Sequence, residues 1–172
     1  MRENSEKLNN EAILLAQKGD YKEAIACLKR ALTIEKQNSL LWYNLGVTYR
    51  DSGEMEKALT SIEEACRINP TDEDYIETLA QIYLQSGYTD EALFVVTRGI
   101  LVNELNSHFW NLLGVIYFNS ENLNEAAEAF EHAVFINPYY SDALYNLRDT
   151  YNELGNKTGF EECSQKIKIL RK

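Results

Sequence analysis

The chain has 172 residues and a formal net charge of −10, with 45% hydrophobic and 26% charged residues. This composition is typical of a globular domain with a core of its own. The longest stretch without a charged residue, Leu105 to Ser120, contains Asn, Ser and His, which excludes a membrane span of about 20 apolar residues. The acidic balance, with no Lys and Arg cluster in the middle of the chain, argues against nucleic-acid binding.

The cysteines and the first residues bear on the compartment. Cys27, Cys66 and Cys163 lie far apart and form no CxxC pair, so the sequence predicts neither a disulfide framework nor a zinc site. No apolar run follows Arg2, so we expect no secretory signal. These observations predict a cytoplasmic protein that needs no metal or cofactor.

A period of 34 residues runs through the chain without an insertion or deletion. Several independent columns of residues share it, and such self-similarity indicates a repeat architecture. The two prolines, Pro70 and Pro138, lie two periods apart. The clearest columns are Tyr49, Tyr83, Tyr117 and Tyr151; Ala24, Ala58, Ala92 and Ala126; and Gly19, Gly53, Gly87 and Gly155, with Glu121 in place of the missing glycine.

Within one period, the apolar residues have helical spacing twice. In residues 39–72 they predict two helices separated by a turn at Gly53 and ended by Pro70. We expect the two backbones to approach each other closely at Gly46 and Ala58, where no large side chain holds them apart. The first helix has Trp42, Leu45, Gly46 and Tyr49 on one face, and the second has Met55, Ala58, Leu59, Ile62 and Ala65.

One helix hairpin cannot cover its own apolar face, so neighbouring hairpins must stack into a solenoid. We predict a single domain over residues 1–172, made of the units 5–38, 39–72, 73–106, 107–140 and 141–172. The apolar stripe of the last unit lies one position early, with Gly159 at the small site, and we interpret its second helix as a cap. That stripe consists of Phe160, Cys163, Ile167 and Leu170.

These repeats resemble the tetratricopeptide repeat (TPR) family. In chain order, the first unit departs most, the second matches nearly throughout, the third matches less closely, and the fourth matches completely. The fourth unit has Trp110, Leu113, Gly114, Tyr117, Ala126, Phe130, Ala133 and Pro138. The resemblance implies an all-α fold, a right-handed superhelix of helix-turn-helix hairpins, whose first helices line a concave groove where peptides or partner helices dock.

The residues between the packing positions would face this groove. Three asparagines fall at one repeat position and could pair with a ligand backbone, although they could equally be solvated or stabilise the hairpins. Three aromatic residues, Tyr43, Phe118 and Tyr145, could be apolar anchors or partly packed side chains. The predicted groove residues are Asn9, Asn10, Ile13, Tyr43, Asn44, Val47, Arg50, Glu77, Thr78, Gln81, Leu84, Asn111, Val115, Phe118, Tyr145, Asn146, Asp149 and Asn152.

Charge favours one class of partner. The three middle units together carry −12, so a groove through them would favour a neutral or basic ligand over an acidic one, unless these carboxylates only form a solvated face. Some family members hold acidic tails with lysine and arginine in the groove. The matching positions here, Asn9, Ile13, Asn44, Asp74 and Thr78, offer neither residue type.

Nothing in the sequence favours catalysis. No Ser or Cys lies in a nucleophile motif, and no Gly-rich phosphate loop is present. Glu128 and His132 are spaced to bind a metal, but two ligands are too few, and a surface pair is the better interpretation. We therefore predict a non-enzymatic adaptor that binds a protein or peptide. The alternative is an assembly subunit that self-associates into a homo-oligomer through its solenoid ends or the loop Pro138-Tyr139-Tyr140.

Overall fold

A computed structural model describes residues 4–170. In this part of the chain the elements are all helices, which alternate between 13 and 14 residues in length. They are α1 (Ser5–Gln17), α2 (Tyr21–Ile34), α3 (Ser39–Asp51), α4 (Met55–Ile68), α5 (Glu73–Gln85), α6 (Thr89–Val102), α7 (Ser107–Asn119), α8 (Leu123–Ile136), α9 (Ser141–Glu153) and α10 (Lys157–Leu170). Odd-numbered helices are first helices of the repeats and even-numbered helices are second helices. Both sets begin every 34 residues, which confirms the predicted all-α class and period.

The chain forms two compact units that divide between Ser86 and Gly87. In the first unit, α1 packs on α2 and α3, α2 on α3, α3 on α4, and α4 on α5. In the second unit, α6 packs on α7, α7 on α8 and α9, α8 on α9, and α9 on α10. Each unit therefore stacks its hairpins in chain order. The division of residues 1–172 into one five-repeat domain stays a prediction, and its ends extend beyond the described residues.

Small residues let the two helices of a hairpin approach each other. A Cβ atom added to Gly46 would lie 2.5 Å from Cδ1 of Ile62 and 3.2 Å from the carbonyl oxygen of Ala58. At Gly114 the added Cβ would lie 2.5 Å from the ring of Phe130. These distances confirm the close approach predicted at Gly46 and Ala58, because even a Cβ atom at the glycine would collide with a side chain of the facing helix.

The turn between the helices of a hairpin needs a left-handed residue. Gly53 has a φ of 83°, and its amide and that of Glu54 donate to the carbonyls of Arg50 and Tyr49. This pattern is a Schellman motif, which favours glycine. Glu121 occupies the same position after α7 with a φ of 61° and makes the equivalent bonds. The residue that broke the glycine column in the sequence therefore adopts the glycine conformation.

The last helix covers one end of the second unit's core. Gly159, Cys163 and Ile167 are buried against α9, and a Cβ at Gly159 would lie 2.6 Å from the Tyr151 ring. Leu170 differs from the expected stripe because it is exposed at the end of the helix. The register of α10 thus buries three of its small or apolar residues over two turns.

Candidate functional site

The predicted groove residues lie on the first helices of both units. In the first unit, α3 presents Tyr43, Val47 and Arg50 as partly exposed side chains. The Arg50 guanidinium forms an ion pair with the neighbouring Asp51 at 3.0 Å. On α5, the Gln81 amide donates to the Glu77 carboxylate at 3.1 Å. These polar groups are therefore engaged with each other along their own helices.

The asparagines at the shared repeat position pair with asparagines of the preceding first helix. Asn44 donates through Nδ2 to Oδ1 of Asn9 at 2.7 Å, and Asn146 donates to Asn111 at 2.9 Å. Asn9 and Asn111 are buried, which differs from the expected groove exposure, because each amide fills the contact between adjacent repeats. Of the predicted ladder, Asn10 is exposed, whereas Asn44 and Asn146 are half-buried. The amides of Asn44 and Asn146 therefore join adjacent repeats. From the sequence, contacts with a ligand backbone and solvation were also possible for these amides.

Tyr43 occupies the same position as Asn9 one repeat later and makes the equivalent contact. Its hydroxyl lies 3.2 Å from the hydroxyl of Thr78, and its ring stacks on Tyr75 with 4.7 Å between centroids. Thr78 is buried, again in contrast to the expected groove exposure. Of the two interpretations of Tyr43, packing against the next repeat is therefore the one that the contacts support.

In the second unit, four predicted residues surround one cavity. The cavity measures about 190 Å³, and the helices α7, α8 and α9 contribute its walls. It is smaller than the roughly 300–1,000 Å³ of a typical small-molecule pocket, so it suits a single side chain of a larger ligand. Its lining residues are Val115, Phe118, Asn119, Phe130, Asn146 and Asp149.

Both polar and apolar groups line this cavity. Phe130 is almost fully buried, and Phe118 and Val115 are partly buried against the same core. Asp149 accepts hydrogen bonds from Arg148 at 2.8 and 2.6 Å, and the Arg148 guanidinium lies 5.0 Å above the Tyr145 ring. The cavity thus combines an apolar base with a carboxylate at its edge. We refer to it below as the α7/α9 cavity.

Other polar contacts belong to the packing between repeats. The hydroxyls of Tyr83 and Tyr151 donate to Glu63 and Glu131, both at 2.6 Å, from equivalent positions two repeats apart. Burial, together with the bond to Glu131, raises the pKa of Tyr151. The sequence did not predict these bonds, although the glutamates at both partner positions, 68 residues apart, were a visible signal.

The residues that could support other chemistry are also engaged or buried. Burial raises the pKa of the Cys163 thiol and of the Cys27 thiol, which opposes formation of a nucleophilic thiolate. His132 stacks on Trp110 with 4.4 Å between ring centroids. Among the described residues, no three His, Cys, Asp or Glu side chains come together as a candidate metal site. Within residues 4–170, no helix has both the length and the apolar character needed to span a membrane.

Comparison with known families settles which fold this is. A family model described as "TPR repeat" matches residues 14–50, and models described as "Tetratricopeptide repeat" match residues 39–72 and 107–140. The chain belongs to the tetratricopeptide repeat family. Members of this family are generally non-catalytic scaffolds for protein interactions. No curated protein has significant sequence similarity to the chain.

Solved structures show the same TPR fold. The structure titled "MamA RS-1 ArsTM double mutant" has a TM-score of 0.86 at 20% identity, covering 99% of this chain and 96% of that one. The structure of MamA 41-end from Desulfovibrio magneticus RS-1 has a TM-score of 0.80 at 19% identity, covering 99% of this chain and 95% of that one. YrrB, described as a TPR protein with an unusual peptide-binding site, has a TM-score of 0.73 at 23% identity, covering 95% of this chain and 84% of that one. At these identities the likeness concerns the fold alone.

Proposed function

We propose that this TPR protein is an adaptor that binds a peptide or partner helix on the face of its first helices, with the α7/α9 cavity as the main anchor site. The supporting observation is that Val115, Phe118, Asn146 and Asp149, all expected to face a ligand, line one cavity. An apolar side chain of the ligand would contact Phe118 and Val115. Burial of such an anchor is the usual source of affinity in protein interfaces.

Charge favours a neutral or basic ligand. Asp149 is more than half exposed at the edge of the cavity, and its partner Arg148 is its neighbour in sequence. A cationic group on the ligand could share this carboxylate, whereas an acidic ligand would meet a chain with a net charge of −10. This proposal includes no catalytic step and no nucleic-acid partner. We further propose that the protein acts in the cytoplasm, which agrees with three free thiols that a reducing compartment maintains.

Peptide selection tests this function directly. Peptides are selected from a random displayed library against the full chain, and their affinities are measured by calorimetry. We expect Phe118→Ala to weaken the selected peptides by about tenfold or more, as loss of an anchor does, and Asp149→Lys to weaken the basic ones. The matched control is Phe94→Ala, since Phe94 is 64% exposed on α6 and lies outside the cavity. Equal affinities for all variants would refute the anchor site.

Self-association is a second candidate function. Two pairs of exposed apolar residues at equivalent repeat positions support it: Leu101 with Phe135, and Leu105 with Tyr139. From the loop Pro138-Tyr139-Tyr140, Tyr139 is 77% exposed, whereas Tyr140 stacks on His108. Light scattering across a range of concentrations distinguishes this candidate, because an assembly subunit gains mass with concentration and an adaptor does not. Tyr139→Ser and Phe135→Ser would reverse such a gain.

A further inference from the structure

A larger groove lies in the first unit, on the side of its second helices. Helices α2 and α4 form its two walls, and α3 forms its base. The groove measures about 640 Å³, within the range of pockets that bind ligands. It is separate from the first-helix face to which the proposed function refers, and the sequence did not predict it. We call it the α2/α4 groove.

The base of this groove is apolar and rigidly held. Leu45 and Tyr49 are buried, and Trp42 is partly exposed beside them. The Trp42 indole donates through Nε1 to the backbone carbonyl of Lys36 at 2.9 Å. This bond fixes the ring in place, so a ligand that packs on it has little side-chain entropy to remove.

The rim of the groove is mainly cationic. The ammonium groups of Lys29 and Lys57 lie 5.7 and 5.5 Å from the centroid of the Tyr49 ring, and Lys36 lies on the same rim. Lys57 forms an ion pair with Glu54, and Glu56 also lines the groove. Within the described part of the chain, Lys29 and Lys36 form no ion pair. Glu54 and Glu64 lie close enough to Lys29 and Lys36 for their pKa values to be lowered in part by these charges, but neither carboxylate forms a direct ion pair with them. Two positive charges without a direct ion pair therefore lie beside the apolar base.

This combination of groups defines the ligand chemistry. We propose that the α2/α4 groove binds an acidic amphipathic helix of a partner protein, with apolar side chains on Trp42 and carboxylates near Lys29 and Lys36. A helix suits the shape because the groove runs between two helices of 14 residues, about 21 Å long. Helix-in-groove docking of this kind uses one apolar face and flanking charges.

The cationic rim is specific to this part of the protein. Two repeats later, the positions equivalent to Lys29, Lys36 and Lys57 are Thr97, Glu104 and Glu125. There the equivalent tryptophan, Trp110, is stacked by His132. The second unit thus has a tryptophan at the same base position but lacks the lysines. The repeat pattern alone therefore does not explain the cationic rim. Because of these lysines, the α2/α4 groove favours an acidic ligand, whereas the α7/α9 cavity is proposed to bind a neutral or basic one.

Fluorescence of Trp42 tests the proposal. The full chain with Trp110→Phe retains Trp42 as its only tryptophan, and circular dichroism checks that this variant is folded. The probe is a synthetic helical peptide of about 16 residues, long enough to follow α2, with leucines on one face, glutamates on the other and no aromatic residue. We expect a saturable change in Trp42 emission that weakens as salt is added. The same peptide with lysine in place of glutamate should produce no saturable change.

Charge-reversal variants locate the contact. Lys29→Glu with Lys36→Glu should weaken the acidic peptide by about tenfold or more, since like charges brought together oppose association. The matched control, Lys7→Glu with Lys18→Glu, changes the net charge equally at exposed positions outside the groove. It should change affinity by less than about twofold, because charges beyond a Debye length are screened.

Three results would overturn the proposal. The lysine peptide could change Trp42 emission with the same affinity as the glutamate peptide, which would make the rim charges irrelevant. The control variant could lose as much affinity as the groove variant, which would indicate general attraction only. Alternatively, Trp42 emission could change with protein concentration alone, together with a rising mass by light scattering, which would make a second copy of the chain the occupant. None of these results depends on whether the α7/α9 cavity binds peptides.

Discussion

Asn146 donates a hydrogen bond to the buried amide oxygen of Asn111 at 2.9 Å, across 35 positions of the sequence. Removing the donor leaves that oxygen buried without this partner. We therefore expect Asn146→Ala to lower the free energy of unfolding by about 1–3 kcal/mol. Urea denaturation measures the change.

The chain contains a control for this bond at the same repeat position. Asn10 is exposed on α1, so Asn10→Ala should change the free energy of unfolding by less than about 0.5 kcal/mol. If both alanine variants are equally stable, the amide pair does not contribute to the contact between repeats.

The contact between Gly114 and Phe130 predicts a strong size limit in the fourth repeat. Because an added Cβ would lie 2.5 Å from the Phe130 ring, Gly114→Leu should lower the free energy of unfolding by about 1–3 kcal/mol through overpacking. Gly114→Ala should also destabilise the protein. Phe130→Leu should relieve part of the alanine cost, so the double variant should be more stable than the sum of the single effects. Strict additivity in thermal unfolding would show that the two side chains do not compete for space.

Glu121 predicts a stabilising substitution. Its φ of 61° is unfavourable for a residue with a Cβ. Glu121→Gly should therefore raise the free energy of unfolding by about 1 kcal/mol, despite the greater freedom that glycine gives the unfolded chain. Gly53→Ala, at the equivalent turn with a φ of 83°, should have the opposite sign. A lower stability of Glu121→Gly in urea would contradict the strain at this turn.

The raised pKa of Tyr151 predicts a loss of stability in alkali. Its folded pKa lies above the unfolded value of about 10. The folded state therefore holds the proton more tightly, and its contribution is complete below about pH 10 and decreases as the pH rises towards the folded pKa. Tyr151→Phe should make the stability less dependent on pH in this range. Tyr139→Phe, at a 77% exposed position, is the matched control for loss of a tyrosine hydroxyl. Denaturation midpoints measured on both sides of pH 10 make the comparison.

The sequence predicted the repeat architecture because its evidence is periodic and local. Helix starts, the turn at Gly53 and the small residue at Gly46 each depend on contacts within one 34-residue repeat. The amide pair of Asn9 and Asn44 could not be read in the same way, since it depends on how far one repeat is displaced from the next. The sequence therefore placed both asparagines on the groove side of their helices, although Asn9 is buried between repeats.

The two candidate sites also differ in how far they could be predicted from local sequence. Val115 and Phe118 were predictable because they lie on one face of one helix. The α2/α4 groove could not be predicted in this way, because three helices from two repeats form it together. Its lysines do not recur one 34-residue period later. The periodic pattern from which the fold was predicted therefore gave no indication of them.

The bonds of Asn9 with Asn44 and of Asn111 with Asn146 have the same 35-residue separation. Each bond links only neighbouring repeats, so inserting or deleting whole repeats between such pairs leaves the register of the remaining bonds intact. An insertion of any other length within the repeat would misalign donor and acceptor. The natural increment by which this chain can lengthen or shorten is therefore one complete hairpin, and chimeras joined at repeat boundaries are its most conservative rearrangements.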